Sequence, residues 1–172
     1  MTIQMFNTKA EQALLQMFDS NLSRLPGGTA IQALRRSAIG AFASKGLPSR
    51  RQEEWKYTDL KSAFKEAFPL APNITLSKIQ SEDQFPLLLR NFKEKLQKNI
   101  MVFTGGHAAL TPSSPRESSF PHATFFSQFS EDPPSWISTL MEDGALTGSS
   151  DYLLNSALFT DGAVIDIPEG TI

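Results

Sequence analysis

At 172 residues, with 40% hydrophobic and 20% charged side chains, the chain has the size and composition of one globular domain, or of one domain plus a piece of another. It has no cysteine, which excludes a disulfide framework, a thiolate nucleophile and any cysteine-ligated metal within these residues. The net charge of −2 hides a gradient: residues 31–66 hold 8 Lys/Arg against 4 Asp/Glu, whereas residues 111–172 hold only Arg116 against 9 acids.

The elements follow in chain order. Thr8-Lys9-Ala10-Glu11 has the form of a capping box, in which the Thr8 hydroxyl and the Glu11 carboxylate satisfy each other's backbone N–H groups. Behind it Ala10, Ala13, Leu14, Met17 and Phe18 fall at helical spacing, which predicts an amphipathic helix ending before Pro26-Gly27-Gly28. Thr29-Ala30-Ile31-Gln32 repeats the device, and Ile31, Leu34, Ala38, Ala41 and Phe42 form the stripe of a second helix. Gly46 offers a left-handed end and Pro48 forbids continuation. Gly40, inside that helix, suggests close packing there.

A short third helix is expected with Thr58 as its cap and Asp59 near its positive end. "QFPLLLRNFKEKLQKN" predicts another, carried by Leu88, Leu89, Phe92 and Leu96 and starting near Pro86. "NIMVFTGGHAAL" predicts a small hairpin turning at Gly105-Gly106. Residues 111–134 are rich in Ser and Pro, and Phe120, Phe125, Phe126 and Phe129 imply an irregular segment pinned to a core. A helix is expected over 134–141, then a Gly/Ser loop, then a helical turn carrying Leu153, Leu154 and Leu158. In "AVIDI" Ala163, Ile165 and Ile167 alternate as a strand does, Pro168-Glu169-Gly170 turns the chain, and Thr171-Ile172 opens a new strand whose edge has no partner in view.

No chemical constellation survives inspection. His107 and His122 are the only histidines, neither at metal-ligand spacing, and His107 reads as a surface residue after a Gly-Gly turn. Glu53 and Glu54 are adjacent, so they point in different directions and cannot form a facing acid/base pair. Arg50 and Arg51 with Trp55 and Tyr57 would suit nucleic acid through stacking and backbone charge. Alternatively Trp55 and Tyr57, two apart in an extended segment, share one buried face and anchor the link between two helices. No stretch approaches the roughly 18 apolar residues of a transmembrane helix, and the start carries no export signal, so a soluble cytoplasmic protein is expected.

"GLPSRRQEEWKYTDL", residues 46–60, closely resembles the N-terminal signature of SufD-type members of the SufB/SufD family of iron–sulfur cluster assembly subunits. Pro48, Ser49, Arg50, Glu53, Trp55, Lys56, Tyr57, Thr58 and Leu60 match its pattern, with Arg51 inside it. "LNSALFTDGAVIDIPEGT", residues 154–171, is similar to the opening of that family's central domain, with Asn155, Asp161 and Gly162 as its marks, and "VFTGGHAAL" is similar to the strand-turn-strand between them. The resemblance implies an α+β fold: a mainly helical N-terminal domain over 1–150, with short strands near 99–110, followed over 151–172 by the first strands of a truncated right-handed parallel β-helix.

It further implies a non-catalytic scaffold that acts through contacts with SufB-like and SufC-like subunits, with no catalytic residue, metal or cofactor in this part of the chain. From the open edge of the last strands, self-association of the chain by strand pairing across molecules is also expected. The other reading is an independent nucleic-acid- or peptide-binding helical module using the basic residues 31–66.

Overall fold

The computed structural model describes residues 8–73, 101, 103–108, 122–129 and 131–171. The helix expected near 86–98 and the sparse apolar positions from Ile74 to Ile79 lie outside these residues. Two compact units emerge, one of residues Met1–Leu70 with Phe129–Phe159, the other of Ala71–Gln128 with Thr160–Ile172.

The first unit is helical. Helix α1 (Lys9–Asn21) opens with the expected capping box, the Glu11 N–H donating to Thr8 Oγ1 at 3.2 Å while the Thr8 N–H donates to the Glu11 carboxylate. It buries Ala10, Leu14 and Phe18. Helix α2 (Thr29–Lys45) buries Ile31, Ala38, Ile39 and Phe42 and makes its most extensive contacts with α5 (Ser150–Leu158), then with α4 (Ser135–Thr147). Leu14, Phe18, Phe42, Leu47, Leu153 and Leu158 belong to one core.

Helix α2 starts differently from the sequence expectation. Gly28 is its N-cap, Thr29 is already its first helical residue, and the Thr29–Gln32 box does not form. Instead Asp132, 102 residues further on, accepts from the Ala30 N–H at 2.9 Å and from the Ile31 N–H at 3.4 Å. An aspartate placed there does what a local N-cap does, satisfying free N–H groups and opposing the positive end of the helix. Asp132→Ala is expected to cost about 1 kcal/mol, read as a lower urea midpoint with an unchanged slope.

Two glycines on these helices behave unlike each other. A Cβ at Gly40 would meet nothing within 4 Å, so close packing does not account for this residue. At Gly144 the Tyr152 ring lies where a side chain would stand. That packing outweighs the helix-propensity cost of glycine, and α4 runs on to Thr147, past the expected end at Met141, leaving only Gly148 and Ser149 as the loop.

Arg35 sits on the inward face of α2 and is fully buried. Its guanidinium donates to the carbonyls of Ala157 and Pro26, each at 3.0 Å, and lies 3.8 Å from the centre of the Phe159 ring, while Nε has no partner. No carboxylate answers it among the described residues. The Ala157 carbonyl belongs to the last turn of α5, so the cation faces the negative end of a helix dipole.

The second unit holds the strands. β1 (Phe103–Thr104) and β2 (His107–Ala108) form the expected hairpin, with Phe103 opposite Ala108. Gly105 and Gly106 both have positive φ, 59° and 82°, as a two-residue turn of primed type requires. β3 (Ala123–Phe125) and β4 (Ala163–Ile165) pair antiparallel, with Thr124 opposite Val164. The segment around Phe125 is therefore a strand followed by a 3-10 turn, Phe126–Gln128, and not wholly irregular; Phe125 and Phe126 are buried, as pinning to a core demands. The Phe103 and Phe125 rings meet edge-on, centroids 5.5 Å apart.

β4 has one edge covered by β3, a strand about 40 residues upstream that the sequence reading did not assign. Pro168–Thr171 is a turn closed by the Thr171 N–H on the Pro168 carbonyl at 3.2 Å, and Thr171 is not in a strand. The described residues are α+β in class, and the strand pairings among them are antiparallel. The position 150/151, expected to separate the domains, coincides with the start of α5, which packs in the first unit.

Candidate functional site

Residues 46–60 form a loop with an inner and an outer half. Gly46 ends α2 at φ 69°, its N–H donating to the Phe42 carbonyl at 2.7 Å. Any Cβ there would also press on Glu11 Oε1, so glycine serves both the turn and a close approach. Leu47 and Pro48 are buried, and the Pro48 carbonyl accepts from the Lys61 N–H at 3.0 Å.

The outer half folds on itself. The N–H groups of Gln52, Trp55 and Thr58 donate to the carbonyls of Ser49, Gln52 and Trp55, and Glu53–Trp55 is a 3-10 turn. This corrects the expected extended segment. In a 3-10 turn, residues two apart diverge by roughly 240° instead of sharing a face. Trp55 is half-buried, whereas Tyr57 is 86% exposed, so the loop is anchored by Leu47 and Pro48 and not by the Trp55 and Tyr57 pair.

Arg50, Arg51, Glu53, Lys56 and Thr58 are exposed as well, and Leu60 is half-buried. Lys56 Nζ meets Glu53 Oε1 at 2.7 Å and lies 5.3 Å from the Tyr57 ring centre; both groups are solvated, so the pair contributes little to stability. The cap of helix α3 (Leu60–Ala63) is Asp59 and not Thr58, the Asp59 carboxylate accepting from the Ser62 N–H at 2.9 Å. That hydrogen bond, aided by Arg50 and Lys65, holds the Asp59 carboxyl below its usual value.

Glu11 underlies this loop, a role that the sequence reading gave only to its capping box. Its side chain is fully buried, and Oε1 accepts from the Leu47 N–H at 2.7 Å and faces Lys61 Nζ at 3.5 Å. Burial pushes its carboxyl up, but the Thr8 and Leu47 N–H groups and the Lys61 ammonium outweigh it and leave the carboxyl below the ordinary value. One carboxylate therefore ties the start of α1 to the start of the loop and to α3.

The other marked residues separate. Asn155 is exposed on α5 in the first unit. Asp161 and Gly162 lie in the second, where the Asp161 carboxylate accepts from the N–H groups of Ala108 (3.0 Å), Ser127 (2.9 Å) and Gly162 (2.8 Å) and from Ser127 Oγ (2.7 Å). It binds the hairpin to the 3-10 turn before β4. Asp161→Ala is expected to free donors worth about 2 kcal/mol, so amide exchange at Ala108 and Ser127 should quicken roughly 30-fold while Ala30 is unchanged.

His107 is half-buried and stands in β2 rather than in a loop, its Nε2–H donating to the Ala71 carbonyl at 2.9 Å. Among the described residues no three His, Asp or Glu side chains converge as a metal-binding group, and no helix is long and apolar enough to cross a membrane.

The family model of the SufBD protein N-terminal region matches residues 8–172. The chain belongs to the SufBD family. That family works in iron–sulfur cluster assembly by the SUF system, and this SufBD chain carries its N-terminal region from α1 through β4. No curated protein and no solved structure matches it. In this SufBD region the loop after α2 presents Arg50, Arg51, Glu53, Lys56, Tyr57 and Thr58 to solvent, and its buried side holds it in place through Leu47, Pro48 and Glu11.

Proposed function

We propose that the chain is the N-terminal region of a SufD-type scaffold subunit, non-catalytic, acting through protein contacts with SufB-like and SufC-like subunits in the cytoplasm. The SufBD match over residues 8–172 carries this reading, and the likeness of "GLPSRRQEEWKYTDL" to the SufD-type signature supports the finer assignment. In this reading residues 151–172 lead into a central right-handed parallel β-helix, and no metal or cofactor is held by the residues up to 172.

The test is co-purification. A full-length subunit carrying this region should recover SufB-like and SufC-like proteins together, and the 172-residue chain alone should recover neither. A full-length subunit that recovers neither would sink the scaffold reading.

One observation favours a second reading, peptide or nucleic-acid binding by residues 31–66: the 86% exposure of Tyr57 beside exposed Arg50 and Arg51. Glu53 and Glu54 on the same loop weigh against nucleic acid. Retention on immobilised RNA that falls with salt and is lost in Arg50→Ala/Arg51→Ala would shift the choice.

A further inference from the structure

After α3 the chain runs "AFPLAPN", residues 67–73, without helix, strand or turn. Its burial repeats at every third residue. Ala67 and Leu70 are half-buried and pack against the helical core, whereas Phe68 and Pro69, then Ala71 and Pro72, are exposed. A strand would alternate at every second residue, and Pro69 and Pro72 lack the N–H groups that a helix or a sheet ladder needs. Period three belongs to polyproline II, whose φ both prolines fix and toward which the residue before each is biased. That helix has no internal hydrogen bonds, and among the described residues the segment makes one, the His107 Nε2–H donating to the Ala71 carbonyl at 2.9 Å.

Three residues per turn make such a segment a three-edged rod. Ala67 and Leu70 are the edge held on the core, and Pro69 and Pro72 are a second edge, their positions about 9 Å apart. On the third edge Phe68 is 71% exposed, while Ala71 stands where a Cβ on Gly105 would press on its methyl group. The free part is therefore Phe68 with the two prolines. Beside them the carbonyls of Phe68, Pro69 and Leu70 accept no hydrogen bond among the described residues.

We propose that residues 68–72 are the ligand of a proline-reading groove on a partner protein, a groove walled by tryptophan and tyrosine rings. Pro69 and Pro72 fill the hollows between those rings, Phe68 anchors one end, and indole or phenol donors reach the free carbonyls. Pro-x-x-Pro is the spacing that such grooves read. A segment already held in the bound shape by Ala67 and Leu70 loses little freedom when it docks. None of residues 46–60 takes part, so the inference is separate from the scaffold reading and can fail without it.

The probes are three isolated domains that read proline-rich segments through aromatic grooves, of the SH3, WW and EVH1 types. Each is isotope-labelled and titrated with the 172-residue chain while the NMR signals of its groove are followed. At least one should show groove signals that move to saturation, with affinity roughly tenfold lower for Pro69→Ala and for Pro72→Ala and lower also for Phe68→Ala. These side chains are exposed, so the variants should keep the parent urea midpoint. Pro168→Ala, at an exposed turn elsewhere, should bind as the parent does. A peptide of residues 67–73 should displace the chain from the groove, and the same peptide with alanine for both prolines should not. Binding to none of the three domains, binding unchanged in both proline variants, or equal competition by the two peptides would overturn the proposal.

Discussion

Arg35→Ala should destabilise the helical unit by about 3–5 kcal/mol, whereas Arg35→Met should remain within about 2 kcal/mol of the parent. Three effects set this order. Removing the guanidinium leaves the buried Ala157 carbonyl and the part-buried Pro26 carbonyl without their donor; a buried orphan costs about 1–3 kcal/mol, and the second, which water can reach, costs less. Alanine adds a cavity where the arginine stem was, which methionine fills. Against both stands the charge itself: burial lowers the guanidinium pKa to about 10, a displacement equivalent to on the order of 3 kcal/mol that either substitution recovers.

Arg35→Lys keeps the charge but has no planar fork to span two carbonyls while stacking on Phe159, so it should fall below Arg35→Met. The sign of the pH effect follows from the lowered value. Above pH 10 the unfolded chain holds its proton while the folded one gives it up, so the charge penalty shrinks as pH rises and parent gains on Arg35→Met. Urea unfolding of the three variants at pH 7 and of parent and Arg35→Met at pH 10.5 would show this. Lysine as stable as the parent would mean that the fork is irrelevant.

Features that depend on neighbours in sequence were legible before the structure. The Thr8/Glu11 box, the end of α2 at Gly46, the Gly105-Gly106 hairpin and the strand over 163–165 each follow from a local rule about free N–H groups, positive φ or alternation. What stayed hidden was set by residues far apart in the chain. Asp132 caps a helix that begins 103 residues earlier, and nothing in Glu-Asp-Pro-Pro announces it. Arg35 carries no sign in the α2 stripe of its buried role, which rests on carbonyls that Pro26 and the end of α5 supply.

At the loop the error was one of period. An extended chain puts Trp55 and Tyr57 on one face, a 3-10 turn does not, and the Gln52, Trp55 and Thr58 hydrogen bonds that decide between them carry no sequence mark. The same inversion moved the candidate site outward, from a buried anchor to an exposed surface held by Leu47 and Pro48.

That surface depends on Glu11, and Glu11→Ala is the second large effect expected. It removes the acceptor of two N–H groups, on Thr8 and Leu47, and leaves Lys61 without its partner. The cost should be about 3 kcal/mol, with Glu11→Gln near half of that because one amide oxygen can serve one N–H while its NH₂ opposes the other.

The pH dependence separates this from a packing effect. The folded carboxyl lies below its ordinary value, so its contribution is complete above about pH 4.5 and is lost as pH falls through the lower folded value. Parent stability should therefore drop more steeply than that of Glu11→Gln between pH 5 and pH 3 in urea titrations. If the two curves run parallel, the carboxylate charge is not what joins α1 to the loop. Amide exchange at Leu47 offers a local reading of the same link. It should quicken in Glu11→Ala before global unfolding, because the Leu47 N–H then has no acceptor while the helices on either side persist. The exposed residues from Arg50 to Thr58 would then lose their fixed orientation with the fold intact, and any partner that reads them should bind Glu11→Ala more weakly than the parent at equal helical content.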